Sequence, residues 1–232
     1  MGQRPRLLLF DVDGTLILSG GAGIRSVNQA FLRLFDVPDA MARCRPDGKT
    51  DPAIFREVAR QTMGRDLSAE EVAKVAEAYL EALEDEVRTS AGYRVMPGVP
   101  RLLEALAPLT HLVLGLATGN LERGARLKLE RADLNRYFGT GGFGSDSEDR
   151  TALVREAIRR GALEAPGPLG PEDVVVIGDT PRDIEAARGA GAICVAVATG
   201  SVSLEELRRH GPAAALSDLA DPGAFLDLLE SL

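Results

Sequence analysis

Two aspartates separated by a single residue stand near the start of the chain, in the string Asp11-Val-Asp-Gly-Thr-Leu16. Side chains at positions i and i+2 of an extended segment point the same way, so the carboxylates of Asp11 and Asp13 can act on one ligand. An acidic loop that only ends a strand is the alternative explanation of a bare Asp-x-Asp pair. The complete string, placed directly after an apolar run, favours a functional site.

A second polar cluster lies in the middle of the chain, in Ala117-Thr-Gly-Asn120. Thr118 offers a hydroxyl, Gly119 an unobstructed backbone amide and Asn120 a side-chain amide, all near a predicted helix N-terminus. Such a set of donors can bind an anion. An ordinary Thr/Asn helix cap is the alternative, and it is the better explanation when this cluster is taken alone.

A third cluster is Gly178-Asp-Thr-Pro-Arg-Asp183. Pro181 suits the first turn of a helix. A helix that begins there would let the carboxylates of Asp179 and Asp183 turn inward together. A capped helix start, with Asp183 stabilised by the helix dipole, is the alternative.

The three clusters follow short, continuous apolar runs, which are typical of strands buried on both faces of a parallel sheet. The runs are residues 7–10, 111–117, 173–177 and 192–197, with a weaker, glycine-rich candidate at 137–143. Helical patterns between them cover residues 99–109, 121–134, 150–160 and 182–189. Strands that alternate with helices predict an α/β fold with a doubly wound, Rossmann-like parallel sheet.

Residues 17–95 interrupt this alternation. They contain helical patterns at 24–35, 52–63 and 68–87 with no strand between them, and Ser68-Ala-Glu-Glu71 predicts a capping box. We therefore predict two units: an α/β core of residues 1–16 and 96–232, and an inserted helical cap domain of residues 17–95. Glycines at both joints could serve as hinges.

The predicted topology brings the scattered clusters together, because open α/β sheets bind ligands at the carboxyl ends of their strands. Four carboxylates would then converge in one crevice, those of Asp11, Asp13, Asp179 and Asp183. Like charges at such short range cannot all remain ionised without a cation. A hard, oxygen-seeking ion such as Mg²⁺ resolves the conflict, so we predict a magnesium site.

Composition excludes several classes of protein. The 232 residues are 45% hydrophobic, which is typical of a globular chain, and their net charge of -8 argues against nucleic-acid or anionic-membrane partners. No apolar run approaches the roughly 20 residues needed to cross a bilayer. Two cysteines are too few for a disulfide framework or a zinc cluster. We expect a cytoplasmic protein, monomeric or a small homo-oligomer.

Together the motifs resemble those of haloacid dehalogenase (HAD) superfamily hydrolases with a helical cap inserted after the first motif (the C1 type). Asp11-Val-Asp-Gly-Thr-Leu matches the first motif, Thr118 the second, and Gly178-Asp179 with Asp183 the fourth. The similarity extends over essentially the whole chain. It implies a phosphatase that acts on a small phosphorylated metabolite, similar to phosphoglycolate phosphatase.

The third motif departs from the family pattern, which usually places a lysine between the second and fourth motifs. Lys128 is the only lysine in that interval, and it falls inside the preceding helix, where we predict a solvated side chain. Arg150 follows the weak strand and opens a helix, so we assign it this role. Arginine can neutralise Asp11 and hold a phosphoryl oxygen. A solvated Arg150 paired with Glu148 or Asp149 is the alternative.

The resemblance also implies a mechanism. Asp11 would attack a phosphomonoester and form an aspartyl-phosphate. Asp13 would protonate the leaving alkoxide and then accept a proton from the hydrolytic water. The metal would be held by Asp11, the backbone carbonyl of Asp13, Asp179 and Asp183. The phosphoryl oxygens would be held by Thr118, Gly119, Asn120 and Arg150.

Two other functions stay open at this point. A sugar phosphomutase of the β-phosphoglucomutase type is one, although such enzymes commonly have Glu-Asp where this chain has Gly178-Asp179. A non-catalytic phosphate-binding module is the other, and it would be expected to have lost Asp11 or Asp13.

Substrate choice in this family comes from the cap. The polar turn Asp47-Gly-Lys-Thr-Asp51 lies where such enzymes carry a specificity loop, so the resemblance assigns that role to Gly48, Lys49 and Thr50. Lys49 could meet a second anionic group of the substrate. A solvated turn before a helix capped by Asp51 is the alternative. The cap is poor in aromatic residues, which does not suggest a pocket that stacks a base.

Overall fold

The computed structural model describes Arg4 and residues 6–232. Along this part of the chain the strands are β1 (Arg6–Phe10), β2 (Ile17–Ser19), β3 (Tyr93–Val95), β4 (Leu112–Thr118), β5 (Thr140–Phe143), β6 (Val174–Gly178), β7 (Ile193–Val197) and β8 (Ala214–Leu216). Six of them form one sheet in the order β5-β4-β1-β6-β7-β8, and every neighbouring pair is parallel. The predicted doubly wound parallel sheet is confirmed.

The helices that connect these strands are α1 (Ala22–Phe35), α2 (Asp51–Met63), α3 (Ala69–Thr89), α4 (Val99–Leu106), α5 (Glu122–Glu130), α6 (Arg150–Glu164), α7 (Pro181–Ala190), α8 (Leu204–Arg209) and α9 (Pro222–Ser231). The first seven match predicted helical patterns, whereas β8, α8 and α9 were not predicted. Among the described residues, no helix combines the length and apolarity that crossing a membrane requires.

Strand β1 lies in the middle of the sheet and divides the apolar core. Leu7 and Leu9 pack into the cluster on one face, while Leu8 and Phe10 pack into the cluster on the other. The chain fills the β4–β5 side first and then crosses to β6, so the strand order reverses at β1. A crevice at the carboxyl ends of the strands is expected at such a reversal.

The segment with helices α1–α3 buries a third apolar cluster of its own. The buried members of this cluster come from residues 22–87, with Leu121 as the one contribution from elsewhere in the described chain. The capping box predicted at the start of α3 is confirmed, because Ser68 and Glu71 each accept a hydrogen bond from the other's backbone amide.

A short antiparallel ribbon, formed by β2 and β3, joins this helical segment to the parallel sheet. It was not predicted, because three residues are too few for an alternating pattern and its two strands lie at opposite ends of the inserted segment. The ribbon lies at both joints of the predicted cap, and the division of the chain into two domains at those joints stays a prediction.

Candidate active site

The carboxyl ends of β1, β4 and β6 meet at one cavity of about 510 Å³. Asp11 follows β1, Thr118 ends β4 and Asp179 follows β6, and all three line this cavity. Residues of the helical segment, including Val27 and Ile54, line it as well. The cavity therefore lies between the parallel sheet and the helical segment.

Three of the four carboxylates predicted to converge form a buried cluster beside the cavity, and the carboxylate of Asp13 is not part of it. One oxygen each of Asp11, Asp179 and Asp183 lies within 4.8 Å of the others. Helix α7 holds Asp183 in place, because its carboxylate accepts hydrogen bonds from the backbone amide and the hydroxyl of Thr180, at 3.0 and 2.6 Å. Pro181 begins this helix, as predicted.

The electrostatics of this cluster suit a divalent metal. Burial raises the pKa of Asp11, a rise that the Arg150 guanidinium opposes and the Asp183 carboxylate increases. Burial and the same Asp183 carboxylate raise the pKa of Asp179. One guanidinium thus leaves the negative charge of three buried carboxylates incompletely balanced. Carboxylate oxygens are the ligands that hard divalent cations prefer, so this donor set fits such an ion.

Arg150 lies beside the predicted nucleophile. Its Nη2 atom is 3.2 Å from Oδ2 of Asp11 and also contacts Asp183. The alternative in which Arg150 pairs with its neighbours does not occur: Asp149 caps helix α6, and Glu148 pairs with Arg56.

Lys128 is not solvated, and that prediction was wrong. The residue is buried, and its Nζ atom donates hydrogen bonds to Oδ2 of Asp13 at 2.6 Å and to Oδ1 of Asn120 at 2.5 Å. Burial by itself would lower the pKa of Lys128, but the Asp13 and Asp51 carboxylates outweigh it, so the pKa is raised. A protonated ammonium therefore stands beside the second aspartate of the first motif.

Asn120 connects two predicted site residues. Its Nδ2 atom donates to Oγ1 of Thr118 at 2.8 Å and to Oδ2 of Asp13 at 2.9 Å. Both N–H groups of this side chain are thus engaged by the protein. In this arrangement Asn120 orients Asp13 and Thr118.

Glycines allow the backbone to approach the site closely. A Cβ atom on Gly119 would lie 2.2 Å from the carbonyl oxygen of Lys49. Gly14 has φ +84°, and a Cβ atom there would lie 2.3 Å from Oδ2 of Asp179. Any larger residue at either position would displace the chain from this geometry.

Sequence reasoning missed the loop after β7, which closes over Asp179. A Cβ atom on Gly200 would lie 1.7 Å from Oδ2 of Asp179, and the hydroxyl of Thr199 donates to the carbonyl of Gly14 at 2.6 Å. A signal was present, because Ala198-Thr-Gly200 repeats at the end of β7 the tripeptide Ala117-Thr-Gly119 that ends β4.

The predicted specificity loop reaches the site only in part. Gly48 and Lys49 line the cavity, whereas Thr50 is buried and donates its hydroxyl to the carbonyl of Glu148 at 3.2 Å. The Lys49 ammonium is paired with Glu57 at 2.5 Å. The assignment of these three residues to substrate specificity stays a prediction.

Asp51 links the helical segment to the sheet. Thr50, not Asp51, is the cap of helix α2, so the expected cap at Asp51 was wrong. The Asp51 carboxylate instead accepts a hydrogen bond from the backbone amide of Leu121, at the start of helix α5, at 2.8 Å. Its own amide donates to the carbonyl of Gly119 at 2.8 Å.

Comparison with known proteins is consistent with this geometry. A 5'-nucleotidase of Pseudomonas aeruginosa is 34% identical over 97% of this chain and 95% of its own length. Phosphoglycolate phosphatase 1 of the same organism is 27% identical over 94% of this chain and 78% of its own length. The crystal structure of a hydrolase from Pseudomonas syringae is 25% identical and superposes with a TM-score of 0.71, covering 96% and 98% of the two chains.

A family model described as haloacid dehalogenase-like hydrolase matches residues 5–191. This match covers most of the chain, and it includes all the clusters from which the resemblance was inferred. The phosphatase and nucleotidase relatives agree with it on the type of reaction. The chain belongs to the haloacid dehalogenase-like hydrolases, and within that family it is a phosphoric monoester hydrolase.

Proposed function

We propose that the protein is a Mg²⁺-dependent phosphatase that hydrolyses small phosphomonoesters through an aspartyl-phosphate on Asp11. One observation carries the proposal: the Asp11 carboxylate lies within 4.8 Å of those of Asp179 and Asp183 and contacts the Arg150 guanidinium, at a cavity large enough for a metabolite. A nucleophile for phosphoryl transfer needs this combination of compensating charge and access.

The ligands for the metal in this proposal are Asp11, Asp179, Asp183 and the backbone carbonyl of Asp13. When bound, Mg²⁺ would neutralise the carboxylates and the phosphoryl group and so permit an anion to approach Asp11. Gly14 and Gly200 leave the space around Asp179 that the cluster requires. Thr180 would keep Asp183 oriented as a ligand, because its backbone amide and hydroxyl both donate hydrogen bonds to that carboxylate.

The protein groups divide the chemistry in the following way. A carboxylate oxygen of Asp11 attacks phosphorus, and the bond between phosphorus and the ester oxygen breaks. Asp13 gives its proton to the leaving alkoxide, then takes a proton from the water that hydrolyses the aspartyl-phosphate. Arg150, the hydroxyl of Thr118 and the amide of Gly119 hold the phosphoryl oxygens while charge shifts during transfer.

A mutase function is not favoured. The resemblance predicts Glu-Asp at the fourth motif of a β-phosphoglucomutase-type enzyme, and this chain has Gly178. A Cβ atom at position 178 would lie 2.3 Å from Cγ of Asp183. A glutamate at that position would therefore displace a proposed metal ligand.

The names of the relatives do not agree on one substrate. They are named for different substrates, among them a 5'-nucleotidase, a phosphoglycolate phosphatase and an N-acetylmuramic acid 6-phosphate phosphatase. We propose a phosphorylated metabolite of the cytoplasm as the substrate class, hydrolysed by a monomer or a small homo-oligomer. The two cysteines, both free and buried, are consistent with that compartment.

Turnover of p-nitrophenyl phosphate tests the proposal. The wild type should release phosphate only with Mg²⁺ present, and Asp11→Asn should lose more than about a thousandfold in kcat. Mass spectrometry of acid-quenched wild type should detect a phosphate adduct on the peptide that contains Asp11. Asp85→Asn, at an exposed aspartate of α3, is the matched control. Full turnover by Asp11→Asn would refute the assigned nucleophile, and an inert wild type across a panel of phosphate esters would favour a binding module.

A further inference from the structure

The outer part of the cavity has an aliphatic wall. The side chains that form it come from β2, α1, α2 and the segment between the two helices: Leu18, Ile24, Val27, Met41, Pro46 and Ile54. The volume of about 510 Å³ falls within the range of roughly 300–1,000 Å³ that is common for ligand pockets. A two-carbon acid attached to phosphate would fill only a small part of it.

Ile24 exposes apolar surface at this cavity. Its side chain is a large hydrophobic group that remains 42% accessible on helix α1. Leu32, on the same helix, is 50% accessible but does not line the cavity. A bound molecule with an apolar face would cover Ile24, and burial of that surface would favour binding.

The cations around the cavity are already paired, with one exception among the described residues. Lys49 pairs with Glu57, Lys128 with Asp13, and Arg150 with Asp11 and Asp183. Arg94 of β3 also lines the cavity and has no ion pair with any described residue. A guanidinium can accept an aromatic ring on its face or donate hydrogen bonds to ring acceptors.

We propose that Ile24 and Arg94 determine specificity, and that they select phosphomonoesters of alcohols that carry a ring with apolar faces and acceptor atoms at its edge. Nucleoside 5'-monophosphates represent this class. The inference rests on the proposed phosphatase function and names the leaving group for the same site. The sequence did not suggest such a pocket, because the wall is aliphatic instead of aromatic and its members are distant along the chain.

The test compares adenosine 5'-monophosphate with ribose 5-phosphate. Both contain the same sugar phosphate, and only the first carries the adenine ring. The wild type should show a kcat/KM at least about tenfold higher for the nucleotide. Ile24→Gln should reduce this ratio to near one, and Arg94→Gln should reduce it mainly through a higher KM for the nucleotide. Leu32→Gln and Arg101→Gln, at exposed positions outside the cavity, are the matched controls and should keep the wild-type ratio.

A wild-type ratio near one would overturn the inference, and so would a ratio that Ile24→Gln and Arg94→Gln leave unchanged. A kcat/KM for phosphoglycolate above that for the nucleotide would do so as well. Calorimetric binding of both esters to the Asp11→Asn protein separates this inference from the proposed function. Tighter binding of the nucleotide that is lost in the Asp11→Asn/Ile24→Gln double variant would support the pocket even if no ester is hydrolysed, and equal binding would refute it.

Discussion

Two cations flank the aspartates of the first motif. Arg150 contacts Asp11, and the buried Lys128 side chain donates a 2.6 Å hydrogen bond from its ammonium group to Asp13. The arginine thus stands beside the proposed nucleophile, and the lysine beside the proposed acid and base. Two carboxylates so close in the chain can take different roles because their surroundings differ in this way.

The contact between Lys128 and Asp13 can be tested by substitution. Lys128→Met should lower kcat/KM on the order of a hundredfold, because Asp13 loses the group that orients it for proton transfer. Steady-state kinetics with an alkyl phosphate, whose leaving alkoxide needs that proton, measures the effect, and circular dichroism checks the fold. Lys74→Met removes an exposed lysine of α3 and should retain activity. Near-normal turnover by Lys128→Met would show that the contact with Asp13 has no catalytic role.

The carboxylate of Asp51 joins helix α2 to helix α5. Asp51 lies in the first turn of α2. Its carboxylate accepts a hydrogen bond from the backbone amide of Leu121, which is the N-cap residue of α5. A negative charge is favourable at a helix N-terminus. The carboxylate of Asp51, a residue of α2, therefore stabilises the N-terminus of α5. Thr118 and Gly119, which we propose hold the phosphoryl group, lie directly before this junction, so the position of α2 is linked to them.

Asp51 also sets a dependence of stability on pH. Burial raises its pKa from 3.8 to about 6, although the Lys128 ammonium opposes the rise. The folded protein therefore binds this proton more tightly than the unfolded chain does. The resulting contribution to the free energy of unfolding is complete below pH 3.8 and is lost as the pH rises through about 6.

Asp51→Asn should remove this dependence, because an amide keeps an acceptor for Leu121 without a titrating proton. The free energy of unfolding of the variant, relative to wild type, should rise by about 2–3 kcal/mol between about pH 3.5 and pH 7. Urea unfolding at a series of pH values in EDTA measures it. Asp85→Asn is the control and should show no comparable rise. A flat difference for Asp51→Asn would contradict the buried, proton-binding state of Asp51.

The active-site cavity lies where three apolar clusters of the molecule meet. Two clusters cover the faces of the sheet and a third fills the helical segment. The cavity draws its aliphatic wall mainly from the helical segment, whereas its charged groups come from both parts, with Asp11 and Asp179 at the sheet edge and Lys49 and Asp51 in the helical segment. In the proposed function, the sheet edge supplies the phosphoryl chemistry and the aliphatic wall contacts the leaving group.

Metal binding should stabilise the whole molecule, since the folded state alone assembles the three carboxylates. Mg²⁺ at a hundred times its Kd should raise the free energy of unfolding of wild type by about 2.7 kcal/mol. Asp179→Asn should lose most of this gain, yet in EDTA it should be at least as stable as wild type, because one buried like charge is gone. Unfolding with and without Mg²⁺ gives both values. A full Mg²⁺ effect in Asp179→Asn would place the ion elsewhere.

The sequence alone determined five of the six strands of the parallel sheet and three members of the acidic cluster. Asp11, Asp179 and Asp183 follow apolar runs, and parallel strands bring their carboxyl ends to one edge whatever the details of packing. Local chemistry also determined the start of helix α7 at Pro181 and the capping box at Ser68, because both depend only on residues within one turn.

Tertiary structure decided the rest, and the clearest case is Lys128. It lies 115 positions from Asp13, and its place in the chain gave no sign that one face of α5 would be buried against the first motif. Asp51 at Leu121 and Arg94 at the cavity are contacts of the same kind. Each depends on how elements far apart in the chain pack together, and the side chains on either side of such a contact show no spacing that a linear pattern could reveal.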